Sequence, residues 1–148
     1  MADAPLLAVL RELKEREERA EVVATASRDE WIAQLEELFA WIRRLFEPAV
    51  TEGLARVDAA TVRIEKDAIG DYEAPALKIN VPGPRVVWVR PIGTFSVGAR
   101  GMVDVVCGAN RALLVLNRAG VWKVRGGREE LERLDETALV RALEELVQ

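Results

Sequence analysis

Between Gly83 and Arg128 the chain carries Arg85, Arg90, Arg100, Arg111, Arg118, Lys123, Arg125 and Arg128 against a single acid, Asp104. This segment bears +7 in a protein whose total is −4, so the remaining residues sum to −11. Arginine outnumbers lysine in it by seven to one, and the planar guanidinium recognises carboxylate or phosphate through paired N–H donors. The chemistry on offer is anion binding. Its anion is the carboxylate of a partner protein, the phosphate of a nucleic acid, or the chain's own Glu129, Glu130, Glu132, Glu136, Glu144 and Glu145. Exposed pairs of that last kind contribute only about 0–1 kcal/mol each.

Catalytic chemistry has few footholds. There is no histidine, which removes the commonest general base, the Ser–His and Cys–His nucleophile pairs and imidazole metal ligation. One cysteine, Cys107, allows neither an internal disulfide nor a structural zinc site. Its parity with Val103 and Val105 makes it a buried, inert thiol. No Walker A loop or Gly-x-Gly-x-x-Gly occurs. A metal-dependent nuclease would need an acid-x-Lys triplet beside Asp104, and the available triplet, Val121-Trp122-Lys123, has valine in the acid's place. The run Gly93–Gly101 resembles a phosphate cradle but leads into strand-like Met102–Val105 instead of a helix, so its glycines read as turns and bulges. The expectation is a protein that is not an enzyme and holds no metal or cofactor.

The elements that position these residues follow from periodicity. Residues 1–57 read as helical. Leu6, Val9, Leu10, Leu13, Ala20 and Ala24 form a narrow stripe, supported by Glu12/Arg16 and Glu15/Arg19 at i,i+4. Ser27-Arg28-Asp29-Glu30 reads as a capping box that starts a second helix. Trp31, Ile32, Leu35, Leu38, Phe39, Ile42, Leu45 and Phe46 then cover about half the wheel at 100° per residue, with Trp41 at the rim. Pro48 predicts a kink or restart, and Val50, Leu54 and Val57 continue the apolar face.

Over 61–128 the period changes to two. Val62 and Ile64 alternate with Arg63 and Glu65; Leu77, Ile79 and Val81 alternate with Lys78 and Asn80. Val86–Val89 is apolar on both parities and reads as a central strand covered on both faces. Further strands are expected at Thr94–Val97, Met102–Cys107, Ala112–Asn117 and Val121–Arg125, separated by short Gly- and Asn-containing turns that require antiparallel hairpins. Leu131–Leu134 fits either an edge strand or a helical turn. Asp135 caps a last helix over 135–148, with Leu139, Leu143 and Leu146 on one face. The reading is one α+β domain, 1–148. A helical hairpin and a C-terminal helix pack on a curved antiparallel meander of about six or seven strands.

In a simple meander the turns alternate between the two ends of the sheet. With Pro91–Gly93 as a turn, Arg85, Arg100 and Arg118 form a rim at one end, and Arg111 and Arg128 fall at the other. Lys123 and Arg125 share the outer face of the last strand, while Arg90 and Asp104 make a structural ion pair. Trp88, Phe95 and Trp122 are expected in the core, which leaves few groups for stacking on bases.

These features predict a non-catalytic accessory or adaptor module that binds another protein through Arg85, Arg100, Arg118, Lys123 and Arg125. The alternatives are a nucleic-acid-binding module using the same arginines, and a homo-oligomeric structural protein associating through the first helix. No apolar run approaches the roughly 18–20 residues of a membrane span. The acidic N-terminus lacks a signal-peptide pattern, and a cytoplasmic address without a membrane partner is expected.

Overall fold

In the computed structural model, which describes residues 4–67, 69–94, 100–125 and 131–148, the amino-terminal third is one helix, α1 (Ala4–Thr51). The two helical pieces join end to end through Ser27 and do not fold back as a hairpin. Local energetics explain the difference. The first stripe is too narrow and too charged to bury a second helix, and Leu6, Leu7, Val9, Leu10 and Leu13 remain 46–60% exposed. Trp31, Leu35, Leu38, Phe39 and Ile42, on the broad stripe, are at most 4% exposed. With the residues before it helical, Ser27 has no orphan amides to cap.

Pro48 stands inside the last turns of α1, and the helix stops at Thr51, short of residue 57. Gly53 adopts φ +73°, and the amides of Gly53 and Leu54 bond back to the carbonyls of Val50 and Ala49 at 3.0 and 2.8 Å. This is the Schellman arrangement that ends helices at a left-handed glycine. Val57 therefore belongs to the first strand.

Seven antiparallel strands follow in sequence order: β1 (Arg56–Asp67), β2 (Gly70–Val81), β3 (Arg85–Gly93), β4 (Gly101–Cys107), β5 (Asn110–Leu116), β6 (Trp122–Arg125) and β7 (Glu132–Arg133). The sheet is an open meander. Residues 131–134, which fitted two conformations, supply the edge strand β7. The expected strand at Thr94–Val97 falls largely, and Arg128 wholly, outside the described residues.

Helix α2 (Glu136–Leu146) starts where the Asp135 carboxylate accepts the Ala138 amide at 2.8 Å. It is tied to the sheet by Arg141–Glu132 at 3.0 Å and by the Asn110 side-chain amide donating to the Leu146 carbonyl at 3.0 Å. One sheet face receives both helices. Its Leu77, Ile79, Val87, Val89, Val103, Val105, Leu114 and Leu116 are at most 2% exposed and pack with Leu35, Ile42, Leu139 and Leu146.

Two departures from a plain meander shape the molecule. Pro91-Ile92-Gly93 does not turn. Pro91 stands opposite Val103 and Gly93 opposite Met102, so Ile92 is the extra residue of a bulge and β3 runs on through Gly93. In addition, β2 pairs with β3 only over Leu77–Val81. Beyond that ladder the outer half of the β1–β2 hairpin continues alone, with Ile64, Tyr72 and Ala74 buried.

Candidate functional site

Because β3 is continuous, one fewer turn separates Arg85 from Arg100 than the meander count assumed. The rim is therefore split. Arg85 lies at the β2–β3 end, on the helix side, where it lines an apolar groove of about 410 Å³ between α1 and α2 with Phe46, Val87, Leu139, Leu143 and Glu144. Arg100 and Arg118 lie at the opposite end. Arg100 faces Glu30 of α1 at 3.5 Å. Arg118 is exposed in the β5–β6 turn, which the Asn117 side chain braces by accepting the amides of Ala119 and Val121 at 3.0 Å.

The cations that do assemble are on the sheet face turned away from the helices. Strand register puts side chains opposite one another on a common face, and two cross-strand rows define it. Arg111, Val106, Trp88 and Lys78 form one row; Arg125, Leu113, Asp104 and Arg90 form the next. Lys123, opposite Val115, extends the same face. Within β3–β6 it carries Arg90, Arg111, Lys123 and Arg125 against one acid, Asp104. Val86, Trp88, Met102, Val106 and Leu113 lie between them, all half-buried. The Lys78 ammonium stands 5.8 Å from the Trp88 ring centroid, a cation–π distance.

Asp104 is the anchor of this face. It is only 9% exposed and accepts a hydrogen bond from Nε of Arg111. Arg90, directly across from Asp104 in register, is exposed and shares with it a cleft of about 280 Å³ walled by Val62, Ile64 and Glu65 of β1. The ion pair that Asp104 makes is thus with Arg111 on β5, while Arg90 presents its guanidinium to the cleft. The physical reason lies in the length of the arginine side chain, which reaches diagonally across two rows of the ladder.

Trp88, expected in the core, lies on this outer face, because its neighbours Val87 and Val89 in β3 are the ones that turn toward the helices. Trp122 is half-buried and stacks on Trp31 of α1, with centroids 6.1 Å apart at 33°. Phe95 is outside the described residues. Sequence reasoning passed over Lys78, Trp88 and Arg111 as members of the site. The signal was present: continuing strand parity through the turns puts all three on the face of Lys123 and Arg125.

A second polar cluster sits where the β1–β2 hairpin meets β3. The Asp67 carboxylate accepts from the Tyr72 hydroxyl at 2.6 Å, from the Thr94 amide at 3.0 and 3.1 Å and from the Thr94 hydroxyl at 2.7 Å. Burial, and then the Asp67 carboxylate, hold the Tyr72 phenol well above its ordinary range. The buried Trp31 indole nitrogen faces the same hydroxyl without reaching hydrogen-bond geometry. Arg28 of α1 donates to the Ile69 carbonyl at 3.3 Å. Every oxygen of Asp67 is engaged in holding the hairpin tip against Thr94, so this cluster is a clasp and offers no free base.

Among the described residues, no group of three or more acidic or cysteine side chains is placed to hold a metal, and no helix is long and apolar enough to cross a membrane. No family model, curated protein or solved structure matches this chain.

Proposed function

We propose that the protein is a non-catalytic accessory module that takes an acidic, partly apolar segment of another protein on the outer face of β2–β6. The observation that carries this reading is the pair of rows, extended by Lys123, in which Arg90, Arg111, Arg125 and Lys78 surround half-buried Trp88, Val106 and Leu113. Protein interfaces concentrate binding energy in Trp and Arg anchors set among apolar contacts. Half-buried valine, leucine and methionine between the cations offer partners to apolar side chains and none to phosphate. Single-stranded nucleic acid needs several open aromatic platforms, whereas the one ring here already has Lys78 over it.

The test is tryptophan fluorescence with two probes of equal charge, a Glu-rich peptide containing leucine and phenylalanine and a single-stranded oligonucleotide, at about 50 and 200 mM salt. Saturable peptide binding that is lost in Arg90→Glu/Arg125→Glu supports the proposal. Oligonucleotide binding alone, weakening steeply with salt, replaces it with the nucleic-acid reading. Binding of neither probe removes the outer face as an anion site.

A further inference from the structure

Among the described side chains of α1, those from Ala4 to Ala26 are all exposed, and Ser27 is the first that is partly buried. This length, roughly 34 Å at 1.5 Å per residue, displays Leu6, Val9, Leu10, Leu13, Val22 and Val23 at 51–69% exposure. A helix of that length without tertiary packing is marginal in water, and a run of exposed apolar residues marks an interaction surface. We infer that its occupant is the same segment of a second copy, paired antiparallel.

The residues specify both partner and direction. A heptad frame with a positions at Leu6, Leu13 and Ala20 has d positions at Val9, Arg16 and Val23. Antiparallel pairing joins a to d across the seam. Leu6 meets the partner's Val23, Val9 meets the partner's Ala20, and Leu13 meets the partner's Arg16. The outer layers are apolar. In the central two, the Arg16 stem covers leucine while its head stays with Glu12 of its own helix, which it contacts at 2.7 Å.

Flanking charges agree with this direction and oppose the other. At the g positions Glu12 faces the partner's Arg19, and this attractive pair occurs twice by symmetry. Parallel pairing would instead set Arg16 against the partner's Arg16 in the seam and Glu12 against the partner's Glu17. The lengths agree too: the register puts Ala4 opposite the partner's Thr25, so the free segments overlap fully just before Ser27 brings in each globular body.

The test uses the full chain. Light scattering on size exclusion is expected to give twice the 16.4 kDa chain mass. A Leu6→Glu/Leu13→Glu variant, whose body keeps its fold because these side chains are 60% and 52% exposed, should raise the dissociation constant about a hundredfold or more, equivalent to about 2.8 kcal/mol at tenfold per 1.4. Direction is read by oxidative cross-linking. Val9→Cys chains mixed with Ala20→Cys chains should form the mixed disulfide in excess over either self-disulfide, with wild type controlling for the buried Cys107. A monomer at every concentration overturns the inference. So does a dimer that survives the double glutamate variant, or one in which Val9→Cys links chiefly to itself.

Discussion

Gly101 lies face-on beneath the indole of Trp31: a methyl group at its Cα would overlap Cη2, Cζ3 and Cζ2 of that ring. The glycine is needed for space, and no unusual backbone angle is involved. Both partners are buried, at the start of β4 and on the inward stripe of α1, and Trp122 backs the ring from β6. Gly101→Ala must push a rigid aromatic out of a packed site, an overpacking cost of about 1–3 kcal/mol. At roughly 2–4 °C per kcal/mol for a chain of this size, the melting temperature should fall by several degrees. The same substitution in a Trp31→Phe background should cost less, because the smaller ring leaves the methyl room. Urea unfolding of the four members of that cycle measures the coupling, and additive losses would mean the two residues do not meet.

Tyr72 is the only tyrosine, so the ultraviolet signal of tyrosinate reads this one side chain. An exposed phenol ionises near pH 10, whereas here burial and the Asp67 carboxylate favour the neutral form. The sign follows from linkage. The phenol's ionisation is raised in the folded state, so its contribution to stability is fully present below pH 10 and is lost as pH climbs from there toward the native value. Native protein should show no tyrosinate step at pH 10; the signal should rise only at higher pH, together with loss of helix. Asp67→Asn should bring the step down toward the ordinary value while leaving part of the shift, since burial remains. A clean step at pH 10 in folded wild type would place Tyr72 in water.

What could be read from the sequence divides along physical lines. The broad apolar stripe from Trp31 to Phe46, the period-two alternation and the Asp135 cap are local patterns, and local patterns suffice to place α1's core half, most strands and α2. Three features did not follow from those patterns, two of them because they depend on contacts distant in the chain. Pro91-Ile92-Gly93 has the composition of a turn, yet pairing with Val103 and Met102 keeps it in β3 as a bulge, and that moved Arg85 to the other end of the sheet. Asp67 and Thr94 lie 27 residues apart, and no spacing rule joins them. Ser27 has a capping signature that a continuous helix overrides. The outer cationic face was within reach, because it follows from parity once the strands are paired.

Asp104 and its two arginines separate folding from binding. Arg111 donates to a carboxylate whose side chain is 13% exposed, so deleting it leaves a nearly buried charge without its donor. Arg111→Ala should destabilise the fold by about 1–3 kcal/mol, the range for a lost hydrogen bond to a charged group. Arg90 is exposed beside the same acid, and Arg90→Ala should stay within about 0.5 kcal/mol of wild type, as surface changes do, while weakening capture of the acidic peptide. Chemical unfolding and peptide titration on the two variants check this together. Equal stability losses would mean that both arginines serve Asp104 structurally.

Ser27 and Asp135 give opposite answers to the same substitution. Each has the composition of a helix cap, but only Asp135 stands at a helix start, with extended backbone (φ −136°, ψ 179°) and its carboxylate on the Ala138 amide. Asp135→Ala removes that acceptor from an otherwise orphan donor and should cost about 1 kcal/mol. Ser27 lies within α1, where its amide and carbonyl belong to the continuous ladder and its hydroxyl competes for backbone groups. Alanine is the better helix former there, so Ser27→Ala should be neutral or stabilising by a few tenths of a kcal/mol. Urea midpoints of the two variants decide the point. A loss near 1 kcal/mol at Ser27 would show that α1 breaks into two helices in solution, and the long free arm would not exist as one piece.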